Sequence, residues 1–137
     1  WGYILPKISD YGINSIKLIK LGLPISYFSL FLIIYFGNNA GAFLFTIYIM
    51  TSIVISLTQP AIALNFSKNL AGKSLTSYNV FLFSGTFFVQ WGIGLIIDLC
   101  NNKGFDILSS YRISFSLFLF LCVLSYTFFI YLNKNEN

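Results

Sequence analysis

Three long stretches of this chain carry no charge at all, and that limits what it can fold into. No Asp, Glu, Lys or Arg occurs from Leu21 to Ser67, from Ser74 to Ile97, or from Ile113 to Asn133. The cations gather between and beside these runs, at Lys7, Lys17, Lys20, Lys68, Lys73, Lys103, Arg112 and Lys134. Charge is costly in hydrocarbon, so long uncharged apolar runs bounded by cations are what a bilayer selects. Charged residues make up only 9% of the sequence and its mean hydropathy is +0.80. A water-soluble domain uses about 25% charged residues, so this chain has too few polar side chains to cover a wet surface. The reading is an all-α integral membrane helical bundle, multi-pass, with the lipid bilayer as its principal partner.

A membrane-spanning helix takes about 20 apolar residues. The run Leu21–Ser67 is more than twice that, so it folds back once, and Gly37-Asn38-Asn39 is the turn signal near its middle. Four spans are expected, over residues 19–36, 42–65, 76–99 and 113–132, with a loop over 66–75 joining the second to the third. Helix is the default for each because lipid offers no partner for unpaired backbone groups. The runs are too long, and alternate too little, for barrel strands. Pro24 is expected in the first turns of span one, where a missing N–H costs little. Pro60 lies well inside span two and is expected to bend it around Ser56–Leu57, either as a tolerated kink or as a flexible point.

Orientation follows from the loops. Six of the eight cations fall on the side that holds both ends and the 66–75 loop, and the positive-inside rule makes that side cytoplasmic. The Gly37–Asn39 turn and the loop before span four are then outside. Both ends of the segment are expected inside a cell membrane.

Several functions are excluded or disfavoured. The basic residues form no dense patch, so the net charge of +4 does not indicate nucleic acid. There is no His, and the two Cys sit in or beside apolar runs as small hydrophobes, so no metal site or other cofactor is expected. No nucleophile–base pair or phosphate loop appears, so the chain is not read as an enzyme. No charged residue lies deep in a span, so any ion-coupling residue belongs elsewhere. Neutral polar residues remain. Tyr48, Thr51, Ser52 and Gln59 recur on one helical face of span two, and Asn79, Thr86 and Gln90 on one face of span three. Of these, Tyr48, Thr51, Ser52, Gln59 and Gln90 are the candidate contacts for a small-molecule solute. The same groups also serve as glue between helices. Gly85 and Gly92 in span three allow a close helix approach.

The stretch from Gln59 to Asp98 includes Leu70-Ala71-Gly72-Lys73 and then Gln90-Trp91-Gly92-Ile93-Gly94. It resembles the link between the tenth and eleventh helices of major facilitator superfamily transporters, a short cytoplasmic connection leading into a glycine-containing helix. The start, Gly2-Tyr3-Ile4-Leu5-Pro6-Lys7-Ile8-Ser9, looks like a decayed copy of that superfamily's loop signature. Gly2 and the basic Lys7 match, whereas Pro6 stands in the acidic position and Ser9 in that of the second Gly. The resemblance implies the last four helices of a twelve-helix fold, with the N-terminal helices of the same transporter missing. Span two would then line the central cavity, span three would border it, and span four would be peripheral. The first residue is Trp1 rather than Met, which also fits a piece of something longer. The alternative is a free-standing four-helix membrane protein with a structural or subunit role.

Overall fold

The computed structural model describes residues 15–133. The Gly2–Ser9 match, Lys7, Lys134 and Glu136 lie outside the described residues. Within them the chain is helical, with no strand. Helix α1 spans Ser15–Phe36 and ends in a 3₁₀ turn at Gly37–Asn39. Helix α2 spans Ala42–Ser52, passes through a 3₁₀ segment at Ile53–Leu57, and continues as α3, Thr58–Asn65. Helix α4 runs from Lys68 to Asn102 and α5 from Ile107 to Leu132. Four of these stretches are long and apolar enough to cross a membrane.

Helix α1 is the centre. It packs against α2 and the 3₁₀ segment on one side and against α5 on the other. Its contact face is built from small residues: Gly22, Ser26 and Ser29, four and three apart, are all buried. A Cβ on Gly22 would lie 2.9 Å from Val54 Cγ2, so the glycine sets how closely the 3₁₀ segment approaches. In a 3₁₀ helix residues three apart share a face, and Val54 and Leu57 use that spacing to join Ile19 and Leu23 in the core. Tyr27, Tyr126 and Phe129 pack around this cluster. Tyr27 and Tyr126 meet edge to face, centroids 5.9 Å apart.

The fully buried side chains are serines, Ser26, Ser110 and Ser114, while Phe43, Phe81 and Tyr131 are exposed. This inverts the pattern of a water-soluble domain. Each buried hydroxyl has a partner: Ser26 Oγ donates to the Leu23 carbonyl at 2.8 Å and Ser114 Oγ to the Ser110 carbonyl at 2.8 Å within their own helices, and Ser110 Oγ reaches Asn101 Oδ1 of α4 at 2.7 Å. Polarity is thereby buried without an unpaired atom among the described residues.

The 3₁₀ segment sits where Pro60 acts. Proline has no N–H to give the Ser56 carbonyl, and its ring crowds that carbonyl. The backbone tightens over Ile53–Leu57, and the Thr58 hydroxyl supplies a bond to the Ile55 carbonyl at 2.7 Å. Pro24 differs from the expectation. The helix is already formed at Ser15, ahead of the expected start near residue 19, so Pro24 is an interior proline. Its missing N–H leaves the Lys20 carbonyl without its partner four residues on. The Tyr126 hydroxyl of α5 donates to that carbonyl at 2.7 Å.

Helices α4 and α5 also begin earlier than expected. The 66–75 loop shrinks to Phe66-Ser67 because Lys68–Ser74 is helical. Leu70, Ala71 and Lys73 are strong helix formers, and a single Gly72 costs only about 1 kcal/mol. Gly72 is an ordinary helical residue; positive φ occurs among the described residues at Gly37 and Gly104. Helix α5 starts at Ile107 rather than near 113, because Asp106 caps it. Its carboxylate accepts from Ser109 N at 3.1 Å and Ser109 Oγ at 2.6 Å.

The proline argument predicts a specific coupling. Tyr126→Phe keeps the ring and strands the Lys20 carbonyl, costing about 1 kcal/mol of stability, the low side of a lost buried bond because the site is partly exposed. Pro24→Ala restores the N–H. In a double-mutant cycle read by denaturant unfolding, Tyr126→Phe costs less in the Pro24→Ala background.

Candidate functional site

Helix α5 holds α1 at both ends, and the end near the Gly37 turn frames a cavity. Arg112 reaches from α5 to the C-terminus of α1. Its Nε–H donates to the Ile34 carbonyl at 3.1 Å and its Nη2 to the Tyr35 carbonyl at 3.0 Å. These are orphan carbonyls of a helix end, where a cation also meets the negative pole of the helix dipole. The sequence reading placed Arg112 in a loop. The early start of α5 puts it on a helix facing α1 instead. Gly37 ends α1 with φ 55°, and a Cβ there would fall 2.8 Å from Arg112 Nη2.

At the opposite end of the same helix pair, Lys20 Nζ donates to the Asn133 carbonyl at 3.1 Å. The α4–α5 hairpin is joined by Ser110 Oγ and Asn101 Oδ1, 2.7 Å apart. Helices α3 and α4 are joined by Thr58 and Tyr78, whose oxygens are 2.6 Å apart. The Thr58 hydroxyl gives its one proton to the Ile55 carbonyl, so Tyr78 is the donor there.

Between α1, α2 and α5 lies a cavity of about 890 Å³. Its walls are apolar, from Leu30, Ile33 and Ile34 of α1, Phe45 of α2, and Leu108 and Phe115 of α5. Asn38, Asp106, Tyr111 and Arg112 add polar groups, and Tyr48 lines it from α2. A second cavity of about 550 Å³ also includes Arg112, with Phe31, Tyr35 and Phe120.

Of the five sequence candidates, Tyr48 alone lines the larger cavity; Thr51, Ser52, Gln59 and Gln90 line neither. Thr51 Oγ1 donates to the Ile47 carbonyl at 2.7 Å and Ser52 Oγ to the Ile49 carbonyl at 3.0 Å. Gln59 does not keep the face of Tyr48, Thr51 and Ser52. A 3₁₀ helix turns 120° per residue against 100° in an α-helix, so the five residues Ile53–Leu57 rotate the chain by about 100°. Gln59 is therefore exposed while Tyr48, Thr51 and Ser52 are half-buried. Helix α4 is continuous, so Asn79, Thr86 and Gln90 do stay aligned; Asn79 is half-buried and the other two are exposed. The residues the sequence reading missed are Tyr126, hidden in an aromatic-rich run, and Asp106. The signal for Asp106 was its spacing to Ser109, an acceptor three residues ahead of a donor at a helix start.

Asp106 lies outside the apolar spans and is fully exposed. The Ser109 hydroxyl and N–H hold its carboxyl below the usual carboxylate range. Its folded pKa is depressed, so the cap's contribution is present above the unfolded value near 3.8 and is lost as pH falls through the folded value. Amide exchange at Ser109 and Ser110 is expected to accelerate in that acid window, and Asp106→Ala to remove the pH dependence. Gly37→Ala is expected to cost about 1–2 kcal/mol by denaturant unfolding, from the left-handed backbone alone, with displacement of Arg112 added.

Comparison of the chain with known protein families, curated proteins and solved structures finds no match.

Proposed function

We propose that this chain is the last four spans of a secondary transporter of the major facilitator type, moving a small solute by alternating access. The observation that carries the reading is Gln90. It lies in the middle part of the uncharged run Ser74–Ile97, on a stretch of α4 where every residue from Val80 to Trp91 is exposed. Gly85, Gly92 and Gly94 have nothing within 4 Å of where a Cβ would be. An amide at that depth in hydrocarbon is costly unless it meets water or another polar group. A helix that borders a water-filled path, with further helices of the same transporter alongside, meets that need. The exposed Phe and Leu side chains of α1, α2 and α5 fit contact with lipid.

In this reading the 3₁₀ segment over Ile53–Leu57 is the place where the second span bends, and Gln59 and Gln90 are the amides offered to the solute. Neutral amides bind a solute without holding it as a buried charge would. The four helices alone lack the partner half that alternating access rocks against. The alternative of a free-standing four-helix protein draws on the bonds that tie α1 to α5 without help from α4.

Three tests bear on the reading. With Cys100 and Cys122 removed, Asn38→Cys is expected to react with an impermeant thiol reagent from outside and Asn69→Cys is not; the reverse overturns the orientation. The gene is expected to encode about eight further apolar spans in frame before Trp1. In vesicles holding that full product, Gln90→Ala is expected to lower solute uptake with helix content unchanged. Unaltered uptake across the panel of solutes transported removes Gln90 from the path.

A further inference from the structure

The cavity between α1, α2 and α5 is not used by the proposed solute path, and its chemistry is of a different kind. Its walls are apolar while a guanidinium and a carboxylate stand in the same lining. Those two charges are engaged elsewhere and not with each other. Arg112 gives two of its N–H groups to Ile34 and Tyr35, which leaves three of its five donors. Asp106 accepts from Ser109 on both oxygens, and a carboxylate has about four lone-pair sites, so it keeps capacity for a cation. The cavity lies at the chain level where α1 ends and α5 begins, which is the edge of the apolar spans and not their middle.

We propose that this cavity binds a phospholipid whose headgroup carries a primary ammonium. Its phosphate meets the free donors of Arg112, its ammonium meets Asp106 and the Asn38 amide oxygen, and one acyl chain lies along Ile33, Ile34, Phe45 and Phe115. Charge complementarity chooses the occupant. A singly anionic lipid leaves Asp106 facing negative charge. A quaternary ammonium has no N–H to donate to the carboxylate. A soluble phosphate leaves the apolar walls wet. The volume of about 890 Å³ lies within the range of pockets that hold a drug-sized ligand, room for a headgroup and part of one chain while the second chain stays outside. The inference rests on the membrane part of the proposed function and not on transport.

The test is native mass spectrometry of the purified chain in detergent. It is offered equimolar phosphatidylethanolamine, phosphatidylcholine and phosphatidylglycerol of matched acyl chains. One phosphatidylethanolamine per chain is expected to be retained about tenfold over the other two, the scale of one hydrogen bond to a charged group. Asp106→Asn keeps an oxygen for the Ser109 N–H but drops the charge, and it is expected to abolish the preference. Arg112→Gln is expected to weaken all three lipids about tenfold, with Arg112→Lys restoring part of the loss. Ile33→Trp is expected to fill the cavity and remove the bound lipid. Thermal melts of helix content are read alongside, and Asp106→Asn, the mildest change, keeps the test valid where a bulkier variant fails to fold. Equal retention of the three lipids by the unmodified chain, or an unchanged preference in Asp106→Asn, overturns the proposal. Binding of free phosphoethanolamine as tight as that of the lipid overturns the lipid assignment. Liposome flotation separates the two levels: a chain that does not float sinks the membrane reading itself. A chain that floats without headgroup preference sinks only this inference.

Discussion

Backbone carbonyls that their own helix cannot satisfy govern how this chain packs. Three places create them: the interior Pro24, the bend before Pro60, and the C-terminus of α1. A carbonyl left unpaired costs free energy, more the less water reaches it, so a partner stabilises each of them. At the bend the partners are local, with the Thr58 N–H directed at the Ile55 and Ser56 carbonyls and its hydroxyl at that of Ile55. The other two are answered from α5, by Tyr126 at the Lys20 carbonyl and by Arg112 at the Ile34 and Tyr35 carbonyls. Two points along α1 are thus tied to two points along α5, and this fixes their antiparallel register more specifically than contact between apolar faces can.

The remaining packing follows from that register. With α1 and α5 held, the small face at Gly22, Ser26 and Ser29 lets neighbours come close, and Val54 and Leu57 close the core over Ile19 and Leu23. The apolar bulk is left outside. A water-soluble protein gains stability by burying such bulk, whereas helices in lipid associate through close packing and hydrogen bonds, and small residues at the contacts serve both. Helix α4 stands apart from this arrangement. It is joined to α3 through Thr58 and Tyr78 and to α5 through Ser110 and Asn101, and every residue of its middle from Val80 to Trp91 is exposed. That separation is what gives Gln90 its weight in the functional reading.

Much of the architecture was legible because charge and length are one-dimensional. The uncharged runs mark the four stretches long and apolar enough for a membrane, Gly37-Asn38-Asn39 marks the first turn, and Pro60 marks the bend. Helix starts were harder. Lys68–Ser74 and Ile107–Arg112 resemble loops when charge marks the border, yet helices extend beyond the apolar region wherever propensity and a cap support them. The candidate site was less legible still. Tyr48 and Gln59 share a face only if the helix between them keeps one pitch, and five residues of 3₁₀ helix are enough to part them.

Where the chain is helical and apolar, where it turns and where it bends are readable from the residues alone, since each depends on residues close together along the chain. Which side chain answers the stranded carbonyls of α1 depends on how the helices cross. Tyr126 is more than a hundred residues from Lys20, and Arg112 nearly eighty from Ile34 and Tyr35. No local pattern distinguishes Tyr126 from the other aromatics of its run. The physical reason is that proline creates a demand at a place the sequence reveals, while the supply comes from whichever helix happens to cross there.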